Sequence, residues 1–138
     1  MNAEKLANLH RMLKELHLPA FRAMFEEHAQ LCQSEDLDYL EFLYDLSEAE
    51  MDGRKVNRIE KFLKQSKIPL QKSLETYEQS RIPMNEQIKL KSIIEGYFVK
   101  YRENVLVFGN PGTGKTHLLC AIGQELIKKG YRVLFTTC

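Results

Sequence analysis

Cysteine is scarce in this chain: Cys32, Cys120 and Cys138 are all there is in 138 residues, and no two form a C-x-x-C pair. Three widely spaced thiols exclude a disulfide framework and read as reduced cysteines, with Cys120 on a helix where packing is its expected role. The histidines are as uninformative for metal chemistry. His10, His17, His28 and His117 fall at no ligand spacing, and read as surface or partly packed side chains. Long apolar runs are missing too, all of them being far shorter than a bilayer span, and the polar opening Met1-Asn2-Ala3-Glu4-Lys5 is no signal peptide. The expectation is a cytoplasmic protein with no membrane partner. Internal repeats and low-complexity segments are absent, and 28% charged with 9% aromatic residues is ordinary for a folded domain, which does not favour disorder. A chain of 138 residues can bury one core, or hold a small helical unit beside part of a second.

A net charge of +1 conceals a division along the chain. Acidic residues outnumber basic ones 12 to 4 over residues 1–52, and from Gly53 onward 16 basic residues face 7 acidic ones. Residues 54–72 carry Arg54, Lys55, Arg58, Lys61, Lys64, Lys67 and Lys72 against the single acid Glu60. On a helix Arg54, Arg58 and Lys61 share one side, opposite Val56, Ile59 and Leu63. Such a stripe can follow a nucleic-acid phosphate backbone, and the competing reading is a solvated helix face.

Apolar periodicity gives the coarse organisation. Leu6, Leu9, Met12, Leu13 and Leu16 mark a first amphipathic helix that stops before Pro19, since proline disfavours a helical residue ahead of it. Pro19 opens a second helix with Phe21, Met24, Phe25, His28, Leu31 and Cys32 on its apolar face, ended by cap and turn chemistry at Ser34-Glu35-Asp36. After Asp38 one long helix is expected through Leu40, Leu43 and Leu46 to Phe62 and Leu63, with Gly53 as the point where it can bend. Ile68-Pro69 closes it, residues 70–83 read as a connector, and a further helix starts with Asn85 as N-cap and carries Ile88, Ile93, Ile94, Tyr97 and Phe98.

The most informative stretch follows. Val105-Leu106-Val107-Phe108 reads as a strand buried on both faces, and Gly109-Asn110-Pro111-Gly112-Thr113-Gly114-Lys115-Thr116 fits the Walker A pattern G-x-x-x-x-G-K-[ST]. Leu118, Leu119, Ile122, Leu126 and Ile127 recur at helical spacing until Gly130, after which Tyr131-Arg132-Val133-Leu134-Phe135-Thr136-Thr137 reads as a second strand. The loop glycines let backbone N–H groups curl toward phosphate oxygens at the positive end of the helix. Lys115 adds a point charge for the β- and γ-phosphates, and the Thr116 hydroxyl offers one ligand to Mg²⁺. The motif therefore implies a nucleoside triphosphate, with residues 109–117, His117 included, as its binding segment.

The helical N-terminal part, the phrase Lys67-Ile68-Pro69, Leu74-Glu75-x-Tyr77 in the connector, the run from Glu103 through the Walker A loop to His117-Leu118, and the closing segment from Gly130 to Thr137 together resemble the IstB-like helper ATPases of insertion sequences. That family consists of AAA+ proteins related to the DnaC-type helicase loaders. The resemblance implies an α+β chain: a helical N-terminal domain over residues 1–69 that meets DNA or a transposase, a connector over 70–84, and the first part of an AAA+ P-loop α/β domain over 85–138. It also implies ATP with Mg²⁺ as cofactors, DNA and a transposase as partners, self-assembly on DNA, and a role in engaging target DNA during transposition. Walker B acids, sensor residues and an arginine finger follow the second strand in such proteins. None can be assigned here, so catalytic residues are unknown, and the chain is expected to be cut off after that strand and not to hydrolyse ATP. Two other functions fit the same residues: a DnaC-type helicase loader, or a non-catalytic adaptor that binds DNA or protein while the P-loop is idle.

Overall fold

The computed structural model describes residues 2–35 and 38–137. Among the described residues six α-helices follow one another: α1 Ala3–Glu15, α2 Pro19–Glu35, α3 Tyr39–Ser66, α4 Met84–Ile94, α5 Tyr97–Lys100 and α6 Lys115–Lys128, with a 3-10 turn at Gln79–Arg81 ahead of α4. The backbone divides into two compact units, Met1–Asn57 and Arg58–Cys138, and the division falls inside α3.

The first unit is a corner of α1 and α2 closed by the N-terminal half of α3. Asn2 caps α1, its Oδ1 accepting from the amides of Glu4 at 2.9 Å and Lys5 at 3.1 Å. The helix ends where His17 takes φ +55, and the Leu18 amide returns to the Leu13 carbonyl at 2.9 Å. Pro19 then starts α2, as its fixed φ and missing N–H allow. Leu13, Phe25 and Leu46 form the buried core, supported by Leu6, Leu9, Leu18, Phe21, Met24 and Phe42. One buried acid holds the corner. The Glu50 carboxylate accepts from the Ala20 amide at 2.9 Å and from Arg54 Nε at 3.0 Å, while Arg54 also donates to the His17 carbonyl at 3.0 Å. Helix α3 runs unbroken through Gly53. Ser34 and Glu35 lie within α2, whereas Asp36 of the expected cap, Leu37, Met1 and Cys138 lie outside the described residues.

The second unit is organised around α6. Its buried residues Cys120 and Ile127 join Ile68, with Ile59, Phe62 and Leu63 of α3 and with Val133 and Phe135 packed against them. Ser66 terminates α3: its hydroxyl donates to the Leu63 carbonyl at 2.7 Å and accepts from the Ile68 amide at 3.2 Å. The approach of residue 68 to α6 is close. A Cβ on Gly123 would lie 2.8 Å from Ile68 Cδ1. Helix α4 begins at Met84 behind Pro83, one residue before the expected Asn85 cap, and it does not continue to Phe98 because Gly96 adopts φ +82 between α4 and α5.

The α+β expectation is not met. Among the described residues every regular element is helical, and neither residues 105–108 nor residues 131–137 form a strand. The reason is the absence of ladder partners. A strand exists through hydrogen bonds to a neighbour, and among the described residues the backbone bond that residues 132–137 make is from the Phe135 amide to the Ser66 carbonyl at 2.8 Å, a helix end rather than a strand. The period-2 pattern persists without the sheet. Val105 and Val107 are half-buried between the exposed Leu106 and Phe108, and Tyr131, Val133 and Phe135 are half-buried between the exposed Arg132 and Leu134. With Leu106 at 76% and Phe108 at 86% exposure, residues 105–108 are not covered on both faces as the sequence pattern suggests.

Candidate functional site

Residues 109–117 form the turn that leads into α6. Gly112 at φ +77 and Gly114 at φ +85 take the left-handed conformation that side chains with a Cβ disfavour. Between them Thr113 closes the turn, its amide at 3.3 Å and its hydroxyl at 2.8 Å from the Asn110 carbonyl. Gly109 is tight for a different reason: a Cβ there would stand 3.0 Å from Thr113 Oγ1. Pro111 occupies the exposed side of the loop.

Gly114 caps α6 with no side-chain hydrogen bond, and the first amide to find a carbonyl is that of Leu118, bonded to Gly114 at 2.9 Å. Among the described residues the amides of Lys115, Thr116 and His117 have no acceptor. A helix N-terminus in that state gathers unpaired donors and the positive end of a helix dipole, a combination suited to an anion. Lys115 lies beneath the loop, its ammonium donating to the carbonyls of Gly109 at 2.5 Å and Asn110 at 2.7 Å. Thr116 is exposed, and its hydroxyl makes no hydrogen bond among the described residues. The cleft over the loop measures about 280 Å³ and is lined by Lys72 and residues 112–117. A second cavity of about 600 Å³ is lined by Gly109, Thr113 and Lys115 together with Val107, Ile122 and Leu90.

His117 is turned toward the connector. Its Nε2 lies 3.0 Å from the Ser73 carbonyl and 3.1 Å from Thr76 Oγ1, and Tyr77 packs edge-on against its ring at 5.3 Å. Further along α6, the buried Gln124 amide nitrogen faces three connector carbonyls, those of Pro69 and Leu70 at 3.3 Å and that of Lys72 at 3.0 Å. The connector is therefore fastened along the loop's own helix. Burial raises the pKa of the Cys120 thiol, a shift that the positive charge of Lys72 partly opposes.

The basic stripe divides. Arg54 is engaged in the first unit by Glu50 and the His17 carbonyl, whereas Arg58 and Lys61 are exposed and make no hydrogen bond or ion pair among the described residues. Val56, expected opposite them on a packed face, is 54% exposed.

Residues 11–138 match the protein family described as IstB-like ATP binding protein. The chain belongs to that IstB-like family. A relative from Geobacillus stearothermophilus, named for ATP binding and insertion sequence IS5376, is 33% identical over 129 residues, covering 94% of this chain and 51% of its own. A Sinorhizobium fredii insertion-sequence protein, also named for ATP binding, is 36% identical over 131 residues, covering 94% of this chain and 44% of its own. A Pseudomonas aeruginosa relative named for IS21 is 32% identical over 124 residues, with coverages of 90% and 47%. This IstB-like chain thus spans about half the length of the curated relatives it matches. Within it, the sequence pattern locates the loop but not what braces it. Lys72 is one more charge in a basic stretch, and Gln124 stands in no motif, so neither carries a local signal.

Proposed function

We propose that this chain binds ATP with Mg²⁺ at residues 109–117 and serves as the nucleotide-binding part of an insertion-sequence helper protein in the cytoplasm, one that assembles on DNA and helps a transposase engage its target. The observation that carries the nucleotide reading is the loop itself: two left-handed glycines and three residues of α6, Lys115 included, whose amides are unpaired among the described residues, line one cleft. The residues fit the group. Gly112 and Gly114 keep the loop free of side chains where a phosphate would approach, Lys115 can exchange carbonyl partners for phosphate oxygens, and the Thr116 hydroxyl is available to a hard cation. Mg²⁺, when bound, neutralises charge on the terminal phosphates. On the DNA side, Arg58 and Lys61 are available to phosphates, whereas Arg54 is engaged within its own unit.

Family membership and the names of the insertion-sequence relatives support the transposition setting. The test is a duplex-DNA titration of the chain with and without ATP and Mg²⁺, repeated with a transposase of the same insertion-sequence type. Nucleotide-dependent retention of duplex and transposase that disappears in Lys115→Ala supports the proposal. Binding that ignores both nucleotide and the substitution rejects it.

A further inference from the structure

We propose that Lys72 is a second phosphate-binding cation of this site, contacting the polyphosphate chain of the nucleotide alongside the loop; the inference rests on the nucleotide-binding reading above. Residue 72 is held in place from both sides. Its carbonyl accepts from Gln124 Nε2 at 3.0 Å, its amide donates to the Pro69 carbonyl at 3.0 Å, and the next carbonyl, that of Ser73, lies 3.0 Å from His117 Nε2. Gln124 and His117 both belong to α6, the helix whose first turn forms the loop. The connector that looks like a spacer in the sequence is therefore a strap fastened to that helix, and it places Lys72 at the phosphate cleft.

The side chain is free for a ligand. Lys72 lines the cleft with residues 112–117, is half-buried, and among the described residues makes no hydrogen bond or ion pair. An ammonium with no protein partner at the cleft can take an anion as a charge-assisted hydrogen-bond acceptor. The Lys115 ammonium must leave the Gly109 and Asn110 carbonyls to meet a phosphate, whereas Lys72 has no such partner to give up among the described residues. The charge of Lys72 is also felt at Cys120 on α6, consistent with an ammonium close to that helix. Two cations bordering one cleft favour ligands with several phosphate charges.

The experiment is a titration of a fluorescent ATP analogue with Mg²⁺ against the chain and its Lys72→Gln, Lys72→Arg and Lys115→Ala variants, with thermal unfolding of each recorded alongside. Lys72→Gln is expected to weaken binding about tenfold or more with an unchanged unfolding midpoint, and Lys72→Arg to retain most of the affinity. Inorganic tripolyphosphate should compete less well for Lys72→Gln than for the parent. If Lys72→Gln binds like the parent while Lys115→Ala binds more weakly, this inference fails and the loop reading stands. Equal weakening in Lys72→Gln and Lys72→Arg indicates packing rather than charge and also overturns it. A parent chain without affinity for the analogue overturns both.

Discussion

Gln124→Met tests whether the connector is fastened to α6. The parent side chain is buried and its amide nitrogen faces the carbonyls of Pro69, Leu70 and Lys72 at 3.3, 3.3 and 3.0 Å. An amide has two hydrogens, so at most two full bonds are shared among three acceptors. At about 1 kcal/mol net for each bond, the methionine variant is less stable by about 2 kcal/mol. With a urea dependence of about 2 kcal/mol/M, the midpoint of the transition involving α6 falls by about 1 M. Gln124→Glu sharpens the test because the shape is kept while an ionised carboxylate is aimed at three carbonyl oxygens. Burial and the facing oxygens raise the folded-state pKa of that carboxyl above its unfolded value, so the protonated form is the one the fold tolerates. Its deficit relative to Gln124→Met is therefore largest at neutral pH and shrinks as the pH falls toward about 5, as the acid becomes able to donate. Urea unfolding followed by far-UV circular dichroism at several pH values measures both effects. Parent-like stability of Gln124→Met, or a Gln124→Glu variant as stable as Gln124→Met at neutral pH, would refute the fastening.

Other outcomes are equally specific. Gly53→Ala should stabilise α3 by about 0.5–1 kcal/mol in thermal unfolding, because the glycine is helical and an added Cβ meets nothing within 4 Å. Arg54→Ala should destabilise the chain by about 1–3 kcal/mol in the same assay, since it leaves the buried Glu50 carboxylate short of a partner. Arg58→Ala with Lys61→Ala should flatten the salt dependence of duplex binding by about 0.9 in log–log slope for each phosphate that is no longer neutralised, and an unchanged slope would mark the pair as a solvated face. Cys120 should resist alkylation in the native chain and label only on unfolding, as its burial and raised pKa keep the thiol protonated and covered; peptide mass mapping distinguishes it from the half-buried Cys32.

How far the fold is legible in the sequence follows from the range over which each signal acts. Leucines at helical spacing place α1, and Pro19 marks the start of α2, because both effects operate within a turn or two. Gly112 and Gly114 are legible for the same reason, since a loop motif encodes its own backbone conformation. Residues 105–108 and 131–137 carry strand composition and keep strand alternation, yet composition cannot supply a ladder partner, and among the described residues none is present. The fastening of the connector is illegible for a related reason. His117 reaches Ser73 across 44 positions and Gln124 reaches Lys72 across 52, separations over which no periodicity runs. Helical phase alone groups Arg54 with Arg58 and Lys61, and phase says nothing about the Glu50 and His17 partners that engage it.

The most direct test of the account is calorimetric titration of ATP with Mg²⁺ into the chain and into its Lys115→Ala variant under identical salt. Saturable binding by the parent, weakened by about tenfold to a hundredfold in the variant, is the predicted result, because a charge-assisted contact to phosphate is removed while the glycine turn remains. Equal affinity in the two proteins, or no binding by the parent, would contradict it.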